Sequence, residues 1–260
     1  MANLFTNFGQ RSLDSFYFLG GLGILFSRML RWVLTPPFEF RRTLVQAKRT
    51  GSDSLPIVSV ISLFIGLILA LQIAYLMQRL GSEMYIASIV ALSLVRELGP
   101  VITALVVAGR VGAAVAAEIG TMQVTEQIDA LKTLAYSPIK YLVVPRFLAL
   151  TLMLPLLTLY ADAIGIFGGY VMCVYKLGIT SGMYLNITFE ALLLKDLFTG
   201  LFKSFVFGMI IALTSCYHGL QVSGGAEGVG EATTNAVVSS FILIIAADCL
   251  ITAIFYFIFP

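Results

Sequence analysis

The chain has 260 residues, of which 59% are hydrophobic and only 12% charged, with a formal net charge of +2 and a mean hydropathy of +0.96. Soluble domains run about 45–50% apolar and about 25% charged, so most of this chain must lie in lipid. Its small and scattered charge offers no surface for nucleic acid. Cys173, Cys216 and Cys249 fall in apolar segments without metal-type spacing. They read as small hydrophobic residues, and neither a disulfide framework nor a zinc site is indicated.

The first apolar stretch, Ser15 to Ser27, is interrupted by glycines and followed by Arg28 and Arg31, with no small-residue cleavage site. This is not the pattern of a secretory leader. Residues 12–34 mix Phe16, Phe18, Phe26, Leu30 and Trp32 with those arginines, which suits a helix lying in the membrane interface. A loop over 35–53, with Pro36-Pro37 and four basic residues, leads to the first span. Because a bilayer core takes about 20 apolar residues per helix, five spans are predicted, over residues 54–78, 84–110, 147–175, about 192–217 and about 235–258. Residues 177–195 are ambiguous and can form an interfacial helix before the fourth span. The fold class is therefore an all-α integral membrane protein, with an N-terminal interfacial region (1–53) and a five-span domain (54–260).

Eleven basic residues (Arg11, Arg28, Arg31, Arg41, Arg42, Lys48, Arg49, Arg110, Lys132, Lys140 and Arg146) flank one side, against Arg79, Lys176 and Lys195 on the other. The positive-inside rule places the N-terminus in the cytoplasm.

Span two carries the most informative run, Leu94-Val95-Arg96-Glu97-Leu98-Gly99-Pro100. Each charge at mid-membrane costs about 2.5–3.5 kcal/mol on insertion scales, so the pair marks either a pathway or a structural ion pair. Pro100 has no N–H for the Arg96 carbonyl, and that carbonyl then needs another partner. The helical pattern continues to Gly120, with small residues at Ala104, Ala108, Gly112, Ala116 and Gly120. Such a stripe fits close helix packing inside one bundle or between two copies.

Beyond it, residues 118–134 read as a short amphipathic helix. Ile128, Leu131 and Leu134 form its apolar side, beside Glu126, Asp129 and Lys132. It can dock on a cytoplasmic partner or lie on the membrane. Arg96, Asp162, Lys203 and Asp248 each fall roughly 15–25 Å from one surface. They can line a chamber for lipid headgroups or neutralise one another, Lys203 pairing with Asp248 or Asp162. The segment Gly224-Gly-Ala-Glu-Gly-Val-Gly230 follows no strand and lacks Gly-Lys-Ser/Thr, so it reads as a tight turn and not a phosphate loop. The single histidine, His218, sits at a span end as a capping or interfacial residue. No nucleophile elbow or zinc-protease motif supports an intramembrane enzyme. No inverted internal repeat supports an ion-coupled secondary transporter.

The stretches Ala91-Leu-Ser-Leu-Val-Arg-Glu-Leu-Gly-Pro-Val, Ala108-Gly-Arg-Val-Gly-Ala-Ala-Val-Ala-Ala-Glu-Ile-Gly-Thr-Met and Thr125-Glu-Gln-Ile-Asp-Ala-Leu closely resemble the MlaE (YrbE) permease family. Pro145-Arg146-Phe147, Gly165-x-x-Gly168-Gly169, Lys203-Ser204 and Gly228-Val-Gly-Glu-Ala-Thr-Thr234 are similar to later family motifs. The likeness covers about residues 55–258. It implies a permease subunit of an ATP-binding-cassette transporter that moves phospholipids between inner and outer membranes. It also implies a second permease copy, a cytoplasmic ATPase dimer that binds the ATP, an MCE-domain protein on the outer face and, in some systems, a STAS-domain subunit. The expected location is the bacterial inner membrane, with the chloroplast envelope as an alternative. By that likeness Arg96 and Glu97 fall where the family lines its lipid cavity and Lys203 matches a lysine near it, the three forming the expected substrate-binding set. Asp162 and Asp248 can be further polar lining by their depth alone. Residues 118–134, with Glu118, Glu126, Ile128, Asp129, Leu131 and Leu134, correspond to the coupling region on the ATPase.

Overall fold

The computed structural model describes residues 2–33, 35–36 and 39–258. Met1, Leu34, Pro37, Phe38, Phe259 and Pro260 lie outside the described residues. Helix dominates: about 90% of the chain is helical, with no strand among the described residues. The elements are α1 (Ala2–Val33), α2 (Phe40–Thr50), α3 (Leu55–Arg79), α4 (Ile86–Ser93), α5 (Gly99–Val107), α6 (Ala113–Val124), α7 (Gln127–Thr133), α8 (Val144–Tyr175), α9 (Ser181–Ala191), α10 (Leu194–Leu220) and α11 (Gly225–Ile258). They form five stretches long and apolar enough to cross a membrane, Phe40–Arg79, Glu83–Val124, Ile139–Tyr175, Leu194–Leu220 and Gly225–Phe257.

Spans one, two, three and five run well beyond the apolar stretches read from hydropathy, because helix continues into more polar sequence, while the fourth is close to its expected length. Residues 40–50 are helix α2 packed on α8, not part of a loop reaching to residue 53. Gly225–Gly230 belongs to α11, so the glycine-rich turn shrinks to residues around Gly224 and Gly225, whose φ angles are +86° and +75°. The ambiguous stretch 177–195 holds the separate helix α9. Its Tyr184 is buried and donates a hydrogen bond to the Ile166 carbonyl at 3.2 Å. Burial holds that phenol above the ordinary tyrosine range, so it remains a donor.

α8 is the central helix, packed against α3 on one side and α10 on the other. Glycine sets the first of these crossings. A Cβ on Gly66 would stand 1.9 Å from the Gly165 carbonyl oxygen, and one on Gly168 would stand 2.4 Å from that of Leu63. The two backbones touch only because neither helix carries a side chain there. α1 docks across the α7 end of the bundle. Leu25 and Met29 are buried, Gly21 abuts Tyr217, and Phe18 stacks on His218. His218 in turn bonds Ser239 across to α11 at 3.1 Å.

The small-residue stripe of span two packs inward. Ala104, Ala108 and Ala116 are fully buried, Gly112 faces Ser215 and Ile211 of α10, and Gly120 faces Val222. Of the two packing arrangements the stripe allows, the one inside the bundle is realised, so these positions are not a seam between copies.

Candidate functional site

Span two is not one continuous α-helix. Leu94–Leu98 and Ala108–Gly112 each form a π-turn. In the first, the Gly99 N–H reaches back to the Leu94 carbonyl, and Pro100 has no N–H to give. Two carbonyls are left over. That of Val95 faces the bare Cα of Gly200, where a Cβ would come within 2.2 Å. That of Arg96 accepts a hydrogen bond from Lys203 Nζ at 3.1 Å. The helix defect that re-aims Arg96 and Glu97 is thus filled by α10.

Lys203 lies nine residues into α10, about 14 Å along the helix, and is 0% exposed. Its ammonium donates to the Arg96 carbonyl, to Glu97 Oε2 and to Thr252 Oγ1, the last at 2.7 Å. Asp248 Oδ1 of α11 completes the cage as an ion-pair partner at 2.9 Å, outside hydrogen-bond geometry. Thr252 also donates to Glu97 Oε1 at 3.3 Å. Three hydrogens therefore meet three acceptors, and a buried ammonium is satisfied within the chain. Of the two acids open to Lys203, Asp248 is the one in contact. Lys203, expected in the substrate-binding set, is enclosed by its own chain here and holds α10 to span two and α11.

Arg96 does the opposite. Its side chain is 51% exposed, with Nε 3.4 Å from Asp196 Oδ1. Asp196 is fixed at the start of α10, where its other oxygen accepts from the Leu193 N–H at 3.2 Å. No further partner of Arg96 is found among the described residues. Its two terminal nitrogens make no hydrogen bond or ion pair there, and such a planar guanidinium can meet two oxygens of a tetrahedral phosphate through parallel N–H bonds. Glu97, half exposed beside it, offers carboxylate surface. Sequence reading missed Asp196, although an acid in the first turn of a helix is a capping signal.

Asp162 does not join this group. It is buried against α5, its Oδ1 lacks a hydrogen-bond partner, and a Cβ on Gly99 would fall 1.7 Å from that oxygen. Of the two readings open to it, lining or structural, its position is that of an interior residue of the α5–α8 contact.

The coupling region is also rearranged. α6 runs on to Val124, and Glu126 turns the chain in a left-handed conformation (φ +60°) before the short helix α7. Glu118 points into the bundle end and pairs with Arg146 at 3.0 Å and Arg49 at 3.6 Å, so it is committed within the chain. Ile128 is 1% exposed in the chain's own core, with Leu131 packed beside it, which removes Ile128 as an anchor for another protein. Leu134 is 75% exposed, and Asp129 spends its charge on Lys132 at 2.8 Å. Of the apolar residues expected to face outward, Leu134 alone is fully free to do so.

Among the described residues, five helices long and apolar enough to cross a membrane, the second broken at an open arginine, define a multi-span membrane protein. The family model for Permease MlaE matches residues 43–254, and the chain belongs to that family. It is 45% identical over 256 residues to a "Probable ABC transporter permease protein" of Rickettsia bellii, covering 98% of this chain and 99% of the relative. It is 33% identical over 257 residues to the "Intermembrane phospholipid transport system permease protein MlaE" of Haemophilus influenzae, covering 98% of each chain. "Protein TRIGALACTOSYLDIACYLGLYCEROL 1, chloroplastic" of Arabidopsis thaliana is 40% identical over 233 residues, 90% of this chain and 67% of that relative.

Proposed function

We propose that this chain is the permease subunit of an ATP-binding-cassette transporter that moves phospholipids between membranes, and that Arg96 receives the headgroup phosphate. The carrying observation is the half-exposed guanidinium, steered by Asp196 at the π-turn of span two. An arginine left open at membrane depth is costly unless a pathway or ligand uses it. Lys203, Glu97 and Asp248 together bring one positive and two negative charges, so the neighbouring surface carries excess carboxylate. That excess suits a headgroup with an ammonium near Glu97 and a phosphate on Arg96, as in phosphatidylethanolamine.

ATP is hydrolysed by a separate cytoplasmic subunit, since the chain has no phosphate-cradling motif of its own. That subunit docks on the α7 end, with Leu134 as the exposed apolar anchor and Glu126 at the rim. The N-terminus is cytoplasmic in a bacterial inner membrane, in keeping with the excess of basic residues at that end. A second permease copy, an MCE-domain protein on the α9 side and a STAS-domain subunit complete the assembly in the family's pattern. The test is gentle extraction followed by mass spectrometry. A co-purifying ATPase and a bound diacyl phospholipid are expected, and a chain that emerges with neither contradicts the reading.

A further inference from the structure

A second charged region lies at the α7 end, remote from Arg96. Two adjoining recesses share Gln46 and Glu118: one of about 290 Å³ between α2, Asp53, the Ala108–Gly112 π-turn and α6, the other of about 460 Å³ between α2, α6 and the start of α8. Arg49 and Arg110 line the first and Arg41, Arg42 and Arg146 the second. Against these five guanidinium groups stand only Glu118 and Asp53. Glu39, at the edge, pairs with Arg42 at 2.8 Å.

The internal partners do not exhaust these donors. Arg146 is 5% exposed, and while its terminal nitrogens reach Glu118 and the Leu142 carbonyl, its Nε is buried without a partner. Arg41 has no hydrogen bond or ion pair among the described residues. A buried guanidinium nitrogen left unpaired costs the desolvation of a charged donor, and a surplus of cations in one recess calls for an anion.

Next to the recess, and sharing Pro145 with it, is an apolar groove of about 140 Å³ lined by Trp32, Phe40, Val144, Leu148 and Leu152. Phe40 and Leu152 expose their rings and methyls outward, as do Leu44 and Val45 on the same helix as the arginines. Glu39, Thr43 and Lys140 also line the groove, with Lys140 over the Trp32 ring. A cationic recess beside a largely apolar groove at the end of a membrane bundle has the two-part chemistry of a phospholipid. We infer that it is a second lipid site, in which the phosphate of an anionic phospholipid sits among Arg41, Arg49 and Arg146 and its acyl chains lie against Trp32, Phe40 and Leu152. This holds whether or not Arg96 handles the transported lipid.

Trp32 is the single tryptophan of the chain, so it reports on this groove alone. The full chain in detergent is titrated with phosphatidylglycerol brominated on its acyl chains, and Trp32 fluorescence is followed. Saturable quenching is expected. Arg41→Gln or Arg49→Gln should need roughly tenfold more brominated phosphatidylglycerol, in line with loss of one charge-assisted hydrogen bond, and brominated diacylglycerol, which lacks the phosphate and so all of these bonds, should need at least that much with the wild type. Arg41 has no internal partner, so its replacement leaves the fold intact, and an unchanged melting temperature verifies this. Equal quenching by both lipids, or by wild type and both variants, overturns the site as a mere oily contact. Inorganic phosphate should displace the lipid only at far higher concentration. Displacement at equal concentration overturns the lipid in favour of a free-phosphate site.

Discussion

The polar cluster around Lys203 and the arginine recess around Arg146 hold charge in opposite ways. In the first, one ammonium is shut inside a cage of two carboxylates, a hydroxyl and a carbonyl, all from the chain itself. In the second, five guanidiniums outnumber two carboxylates and one buried Nε has no partner. The difference separates charge fully satisfied inside the chain from charge that exceeds its internal partners, which the proposed lipid sites would use. Arg96 belongs with the second kind, although only one peptide bond separates it from Glu97 in the first.

The largest effect should come from opening the cage. Lys203→Met leaves Glu97 and Asp248 facing each other beside an unsatisfied Arg96 carbonyl, a loss of about 3 kcal/mol or more for a broken buried pair. Fluorescence-detected size exclusion with heating should show early melting. Adding Glu97→Gln and Asp248→Asn to that variant should recover most of the stability, because the stranded charges are then gone. A Lys203→Met protein as stable as wild type would break the contrast between the two regions.

The same contrast applies to apolar residues of the α7 segment. Ile128→Asp buries a carboxylate in the chain's own core and should destabilise it by about 3 kcal/mol. Leu134→Asp should leave melting unchanged yet release the ATPase on purification, since it places a charge in the intermolecular contact. If both variants melt normally, Ile128 is not the interior residue its burial indicates.

A smaller effect is expected at Glu118, which is half exposed and therefore screened. Glu118→Gln removes the carboxylate shared by Arg146 and Arg49 and should cost about 1 kcal/mol. The same change leaves the recess more cationic, so Trp32 quenching by brominated phosphatidylglycerol should occur at lower lipid concentration. Weaker lipid binding would mean that Glu118 shapes the recess more than it competes for it.

Much of the fold was legible in the residues. Five apolar runs gave five spans, and the glycines and charges of Phe16–Trp32 marked a helix outside them. What hydropathy could not show was where helices end, because α2 and the last turns of α6 are polar and lie beyond the bilayer core. The site was legible in part. Arg96-Glu97 and the carbonyl freed by Pro100 stood out, and Lys203 was open to pairing with Asp162 or Asp248. Which acid it meets depends on helix rotation: α10 and α11 lie side by side, while α8 turns Asp162 toward Gly99. The i, i+3, i+6 pattern of Ile128, Leu131 and Leu134 suggested one apolar side, but the left-handed turn at Glu126 precedes a short helix in which Ile128 is buried and Leu134, just past its end, is exposed. The arginine recess draws on α2, span two and α8, and no local pattern joins residues 41, 110 and 146.

The central claim is that Arg96 touches the headgroup and Lys203 holds the helices. The direct measurement is ATP-dependent transfer of labelled phospholipid between vesicles by the complete transporter, with Arg96→Ala and Arg96→Lys beside wild type. Arg96→Ala should assemble and melt like wild type but transfer lipid at least tenfold more slowly, and Arg96→Lys should recover part of the rate by restoring charge without the bidentate grip. Wild-type transfer by a fully assembled Arg96→Ala complex would contradict the claim.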